Sequence, residues 1–404
     1  MTTVTIERLG HEGDGIAPGP IFVPRALPGE VVEGDVDGGR MSEARIVTPS
    51  VDRVKASCRH YKSCGGCSLQ HASDAFVASW KRDVVLSALS ARSIETDVRS
   101  TLTSPENSRR RATFTGRRTK KGVLIGFHGK KSASIVEVPD CRLVDPALLA
   151  SQSVLEALVM VGGSRKGELR MTVTRSEAGL DISVSGGKPL ERDLEAELAQ
   201  IAGQDGIARI AWNGEVIAMV NPPYQLFGRT AVVPSPGSFL QATKSGEEAL
   251  LAAVREAVGG ASRVLDLFAG CGTFSLPLAE NASVHAVESE PDMLAALDKS
   301  WRKADRLHKV TTETRDLFRR PLLPDELKYD AIVIDPPRAG GELQTNEIAK
   351  SGAKKVAFVS CNPVTFARDA ETLINSGFTL NWVRVVDQFR WSPHVELAAS
   401  FTRD

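Results

Sequence analysis

From about residue 236 to the C-terminus the chain alternates between two patterns, and nothing else in it constrains the fold as strongly. Short apolar runs ("RVLDLFAG", "SVHAVES", "YDAIVIDPP", "KKVAFVS") are interleaved with stretches of helical spacing ("EEALLAAVREAV", "PDMLAALDKSWRKA", "PVTFARDAETLINSG"). Strands alternating with helices call for a largely parallel, doubly wound α/β sheet. Upstream the pattern differs. Gly and Pro break every run of the first fifty residues, as in "GHEGDGIA" and "IFVPRALPGE", which predicts a small β-barrel over residues 1–50. Residues 51–235 mix strands such as "LRMTVTRS" with short helical stretches such as "PLERDLEAELAQIAG", giving a mixed α+β middle before the α/β part at 236–404.

Ligands of such sheets lie beyond the carboxyl ends of the strands. "VLDLFAGCGTFSLPLA" (Val264 to Ala279) reads as a strand, a glycine turn and a helix start. Gly270 and Gly272 admit a ligand that a Cβ would exclude, and Glu288, ending the next strand, is placed to accept ribose hydroxyls. The third glycine of the dinucleotide fingerprint is replaced by Ser275. With Asp266 before the turn, the motif suits S-adenosylmethionine better than NAD. Asp335 ends a further strand in "IDPPRAGG", where two prolines stiffen the loop that follows. "NPPYQ" (Asn221 to Gln225) matches the signature of adenine-N6 methyltransferases, but it precedes the glycine turn and reads as a loop.

"SCNPVTFARD" then places Cys361 at a strand tip facing the same crevice. Methylating nitrogen or oxygen needs no enzyme nucleophile. Methylating C5 of uracil does, because that carbon is unreactive until a thiolate adds to C6. A proton acceptor must follow, and "SPHVELAASF" offers His394 and Glu396, which share one face if both lie in a strand. The plain alternatives are a cysteine that fills space, a structural histidine and a surface carboxylate.

Four of the other cysteines form a second set. Cys58, Cys64 and Cys67 are spaced C-x5-C-x2-C, with Cys141 a distant fourth, a pattern open to a [4Fe–4S] cluster or to zinc. Cys271, in the glycine turn, reads as a packing residue. The start "MTTVTIERLG" lacks a secretory layout and no apolar stretch approaches the roughly 20 residues of a membrane span. A cytoplasmic protein is expected, in which disulfides are disfavoured.

The net charge of +0 conceals an asymmetry. Residues 1–50 carry eight acids against four Lys/Arg, whereas residues 51–131 carry seventeen Lys/Arg against six acids. The hairpin-like stretch from Arg109 to Lys131 has nine basic residues and no acid, which points to RNA, with Phe114 and Phe127 as either base-stacking or core aromatics.

"DLFAGCGTFSLPLA", "IDPPRAGG", "SCNPVTFARD" and "SPHVELAASF" occur in the order found in the RNA 5-methyluridine (uracil-C5) methyltransferases, and the chain resembles that family over essentially its whole length. The resemblance implies a class I S-adenosylmethionine-dependent, Rossmann-like methyltransferase domain at 236–404. It implies a TRAM-like RNA-binding barrel at 1–50 and an iron–sulfur and central RNA-binding domain at 51–235. It makes Cys361 the nucleophile and Glu396 the base. The donor-binding positions fall on Gln241 in "SFLQAT", Phe268, Thr273, Glu288 and Asp335, with Asp316 added. The cluster-bearing branch shares the four-cysteine arrangement, so Cys58, Cys64, Cys67 and Cys141 are expected to hold [4Fe–4S]. The expected substrate is a uridine flipped out of an RNA loop, in 23S rRNA rather than tRNA, and the expected state a monomer. Two departures stand out: Thr273 replaces an Asn common among relatives, and "FRWSPHVE" replaces "FPHTxHxE", which loosens the role of His394. An amino methyltransferase and a non-catalytic iron–sulfur RNA-binding protein are the alternative readings.

Overall fold

The computed structural model describes residues 1–404. Its last part is built on an eight-stranded sheet. In spatial order the strands are Val310–Thr314, Ser283–Glu288, Arg263–Leu267, Ala331–Ile334, Lys355–Ser360, Glu396–Thr402, Thr379–Asp387 and Asp97–Thr103. All neighbours run parallel except Glu396–Thr402, which is antiparallel to both of its partners. Helices cover both faces. Leu250 and Val254 of Lys244–Val258 and Leu297 of Pro291–Lys303 pack on one side, Ile348, Phe366 and Leu373 of two later helices on the other. Each such side chain removed from water contributes about 1.5–3 kcal/mol. The doubly wound architecture read from the sequence is present.

The edge strand Asp97–Thr103 and the helix Asp74–Ser90 were expected in the middle of the chain. They join this sheet instead, Val85 and Leu89 entering its core. The helix buries Val77, Lys81, Val85 and Leu89, one every four residues. A lysine in that stripe hides the apolar spacing. It is tolerated because Lys81 Nζ donates to Asp387 Oδ1 at 2.5 Å, both side chains being fully buried.

The middle forms a seven-stranded sheet, antiparallel except where Gly179–Ser185 pairs with Ile207–Trp212. That parallel pair needs a crossover, which the helix Arg192–Ala202 supplies. Residues 1–50 are hydrogen-bonded as two three-stranded antiparallel sheets around a small core of Ile6, Val23, Val32 and Met41; the strands do not pair into one closed barrel. The many turns leave strands of two to four residues, too short to wrap round.

The basic hairpin forms as expected, Arg111–Arg118 against Val123–His128, but four of the nine cations between Arg109 and Lys131 are paired with acids of the chain itself. Arg110 pairs with Glu247, Arg117 with Glu168, Lys130 with Asp14 and Lys131 with Glu12. Arg111 donates to the Gly237 carbonyl. Arg118, Lys120 and Lys121, around the turn, have no acidic partner. Phe114 and Phe127 stack at 5.0 Å within the core, so neither is a platform for bases. Part of the acidic surplus of the first segment is therefore matched to the basic surplus of the second. No helix is long and apolar enough to cross a membrane.

Candidate active site

The carboxyl ends of strands Arg263–Leu267, Ser283–Glu288, Ala331–Ile334 and Lys355–Ser360 open at one edge of the sheet, and its order reverses between the first and third of these. Ligands bind at such a reversal. Phe268 follows the first strand with φ 62°, a conformation costly for a bulky residue, and its ring lies 5.5 Å from that of Phe318. Gly270 (φ 56°) donates its N–H to Glu288 Oε2 at 3.0 Å, which fixes the acid beside the turn. Thr273 lies on the same turn. Asp316 lies just past strand Val310–Thr314 and accepts from the Phe318 N–H, which aims that ring at Phe268. Cys271 is buried in the core, a packing residue as expected.

Acids crowd the floor of this crevice. Asp266 is fully buried, accepts from Ser275 Oγ at 2.5 Å and leaves Oδ1 without a partner. Burial and the charge of Glu288 push it up to about 7. Burial pushes Asp335 well above the usual carboxylate range, and Glu396, Asp266 and Glu288 add to the push. Glu396, 4 % exposed, is raised by burial to about 7. Carboxylates gathered without a matching base form a pocket suited to a cation.

Cys361 faces Glu396 across the sheet. Ser360 pairs with Leu397 in the antiparallel ladder, so the next residue of one strand lies opposite the preceding residue of the other. Burial and the charges of Glu396 and Asp335 push the thiol up to about 11, and Arg338 opposes them. The residues after the thiol explain its company. Asn362 caps helix Pro363–Asn375 by accepting from the Val364 N–H at 3.1 Å, and its Nδ2 donates to the Arg338 carbonyl at 3.0 Å. One side chain thus starts the helix and ties the thiol tip to the Asp335 loop. The Asn-Pro pair is an N-cap signature that sequence reasoning passed over.

The remaining expected residues divide. Gln241, 3 % exposed, reaches the crevice indirectly: its Oε1 accepts from Gln388 Nε2 at 2.5 Å, and the same nitrogen donates to Glu396 Oε2 at 2.7 Å. Gln388 escaped the sequence reading because it lies in an irregular turn and matches no pattern. His394 lies outside the strand, which begins only at Glu396, so two-residue alternation does not link the two; the residue is at the surface, with its ring partly covered where it edges against Phe389 at 5.8 Å. Burial and the cations Arg338, Lys81 and Arg109 hold it below its ordinary value. The rim is therefore basic where the floor is acidic. "NPPY" is a loop, as expected, tied to the middle sheet through the Tyr224 carbonyl and Glu177 N–H.

The four other thiols, all free, gather elsewhere. Cys67 is pushed up to about 12 by burial, with added effect from the charges of Cys141, Cys64 and Cys58. Asp140, next to Cys141, pairs with Arg59 and His60, closing the two segments on each other. No group of three or more His, Cys, Asp or Glu side chains is arranged to hold a metal ion, so the geometry does not itself support the expected cluster. This loop also touches the crevice: the N–H groups of Ser68 and Leu69 both donate to the Trp391 carbonyl, at 2.8 and 3.0 Å.

Comparison with known proteins agrees with this arrangement. A family model described as tRNA (Uracil-5-)-methyltransferase matches residues 231–403. An uncharacterized RNA methyltransferase of Rhizobium meliloti is 41% identical over 99% of both chains. A 23S rRNA (uracil(1939)-C(5))-methyltransferase of Halomonas elongata is 32% identical, covering 97% of this chain and 88% of its own. The chain belongs to the RNA uracil-C5 methyltransferase family. It is accordingly an S-adenosylmethionine-dependent RNA methyltransferase. The fold of this methyltransferase is shared with a Pyrococcus abyssi tRNA (uracil-54, C5)-methyltransferase crystallised with S-adenosyl-L-homocysteine, at a TM-score of 0.79, 22% identity and 99% coverage of both chains.

Proposed function

We propose that the protein forms 5-methyluridine in 23S rRNA through a covalent adduct between Cys361 and C6 of the target base. The observation that carries this reading is the opposition of Cys361 and Glu396 across one pair of strands, beside Asp335. When bound, S-adenosylmethionine supplies a transferable methyl on a positively charged sulfur. Asp335 would suit that charge and Glu288 the ribose hydroxyls, while Phe268, Thr273, Gln241 and Asp316 would line the approach of the rest of the donor. A positive charge held beside Asp335 would oppose the push on the Cys361 thiol and favour its thiolate.

Cys361, as the thiolate, would then add its sulfur to C6, and the electron pair of the C5–C6 double bond would make C5 nucleophilic; C5 bonds to the donor methyl as the donor's S–CH3 bond breaks, its electron pair staying on the sulfur of the departing thioether. Glu396 takes the proton from C5; the double bond re-forms as the bond from C6 to sulfur breaks, which returns the thiolate. A base poised near neutrality suits that transfer. The target base has to leave its stack to reach a half-buried thiol, so a loop uridine is the expected substrate. Arg338 at the rim has no ion-pair partner and is placed to meet RNA.

Cys58, Cys64, Cys67 and Cys141 are proposed to hold a [4Fe–4S] cluster with a structural role. The donor set supports this: four free thiols from two segments, mutually within reach of one another's charge. A four-iron cube stands between its ligands and keeps them farther apart than a single zinc ion does. Nothing in the methyl transfer requires an electron. A ribosomal target is favoured by the 23S rRNA relative, whose likeness covers nearly the whole chain. Residues 1–50 and 51–235 are assigned to RNA binding, with a monomer in the cytoplasm as the working form.

The test offers the enzyme and donor 5-fluorouridine-containing 23S rRNA and tRNA fragments separately. Fluorine at C5 blocks proton removal, so a covalent complex resistant to denaturing electrophoresis should accumulate with rRNA and be absent with C361S. An adduct on tRNA alone would reverse the substrate assignment. No adduct on either RNA would overturn the covalent mechanism.

A further inference from the structure

Gln388 makes three side-chain hydrogen bonds at the crevice, and the reaction described above does not use it. It lies between strands Thr379–Asp387 and Glu396–Thr402 and is 1 % exposed. The backbone N–H of Ala242 lies 2.7 Å from Gln388 Oε1. An N–H can only donate, so the atom facing it must be the amide oxygen. The amide nitrogen is thereby turned to the two acceptors on its other side, Gln241 Oε1 at 2.5 Å and Glu396 Oε2 at 2.7 Å. Both of its protons are committed. Space for the side chain is provided by Gly246: a Cβ there would lie 2.6 Å from Gln388 Cβ.

We propose that Gln388 is a positioning residue that clamps Glu396 by one oxygen and Gln241 by its amide oxygen, so that the base and the donor-side loop are held as one unit. This rests on the reading of Glu396 as the base. The clamp leaves Glu396 Oε1 without a protein partner, and that is the oxygen available to take the C5 proton. Glu396 is one of several groups here: Asp335 and Cys361 end the neighbouring strands, and Asp387, paired with Lys81, precedes Gln388. None of these gives it a hydrogen bond, so the clamp is its one stabilised contact as a carboxylate.

Gln388→Met keeps length and volume but removes both N–H donors. Without them the carboxylate form of Glu396 loses support and the base holds its proton to higher pH. The low-pH limb of single-turnover 5-methyluridine formation should therefore move up by about one pH unit, giving a rate about fivefold lower at pH 7 that recovers to within about twofold at pH 9. Calorimetric binding of S-adenosylhomocysteine should weaken about threefold to tenfold as Gln241 loses its partner. A loss equal at every pH is the signature of a merely structural residue and overturns the proposal, as does a profile that overlays the parent. Unchanged donor affinity overturns the link to Gln241. Should Gln388→Met not fold, Gln388→Glu retains the acceptor for Ala242 and sets a like charge against Glu396. Its limb must shift in the same direction and further, and a shift to lower pH refutes the clamp. If the parent makes no 5-methyluridine, the reading of Glu396 as base has failed, and the clamp with it.

Discussion

Cys361 and Cys67 are both half-buried thiols raised by burial, yet their settings differ in kind. Cys361 stands at the tip of a core strand among carboxylates, and Asp335 and Glu396 come from the two strands whose register against its own is fixed by backbone ladders. Cys67 stands in a loop among other thiols, held by turns and by an exposed carboxylate bridging Arg59 and His60. In the proposed reading a positively charged group relieves both places, and only the first is built to stand without it. A site assembled on a sheet edge can accept and release a cationic substrate with each cycle. A site assembled from loops takes its stability from what it holds.

The sharpest way to break that contrast is Cys361→Ala. Methyl transfer, followed as 5-methyluridine by mass spectrometry, should fall by about 10⁴-fold or more, with Tm unchanged within about 2 °C. Residual activity near the parental rate would remove the distinction altogether.

Cys67→Ser is the converse. Iron content should drop and Tm should fall by about 5 °C or more. Affinity for S-adenosylhomocysteine should change by less than about threefold, because none of the donor-side groups lies in that loop. A protein that keeps its melting point after losing this thiol would show the loop to be self-supporting.

Asp266→Asn sharpens the description of the crevice floor by a smaller effect. The carboxyl is raised in the folded chain from about 4 to about 7, so the folded state binds the extra proton within that window. Stability therefore falls as pH rises through it: the penalty is absent below about pH 4 and complete above about pH 7. The Asn variant escapes the penalty. It should melt higher than the parent by about 2–4 °C at pH 8 and equally at pH 4, by calorimetry at the two values.

Much of the crevice was legible because its parts repeat a rule: an acid or a thiol at the end of an apolar run, one run after another. Asp266, Glu288, Asp335 and Cys361 all follow it. The hidden parts depend on contacts between residues far apart in the chain. Lys81 disguises its helix until Asp387 is seen beside it, more than 300 residues later. Strand Asp97–Thr103 has its partner in Thr379–Asp387, a pairing no local pattern announces. Gln388 is unremarkable until three acceptors and donors meet around it. The basic hairpin misled for the same reason: a run of cations does not reveal which of them face Asp14, Glu168 or Glu247. The place of His394 turned on where the last strand begins: it starts at Glu396, so the alternation that joins residues two apart does not extend back to His394.

Asn362 has a further consequence. Because the same amide begins the helix behind Cys361 and grips the backbone of the neighbouring proline-rich turn, the backbone that carries the sulfur is held from both sides. In the proposed reaction the travel needed for the encounter then falls mainly on the nucleic acid. Selection among uridines is then a contest of how cheaply each one unstacks and how well its flanks settle on the surface, which places the discrimination in the shape of the RNA and outside the reacting atoms.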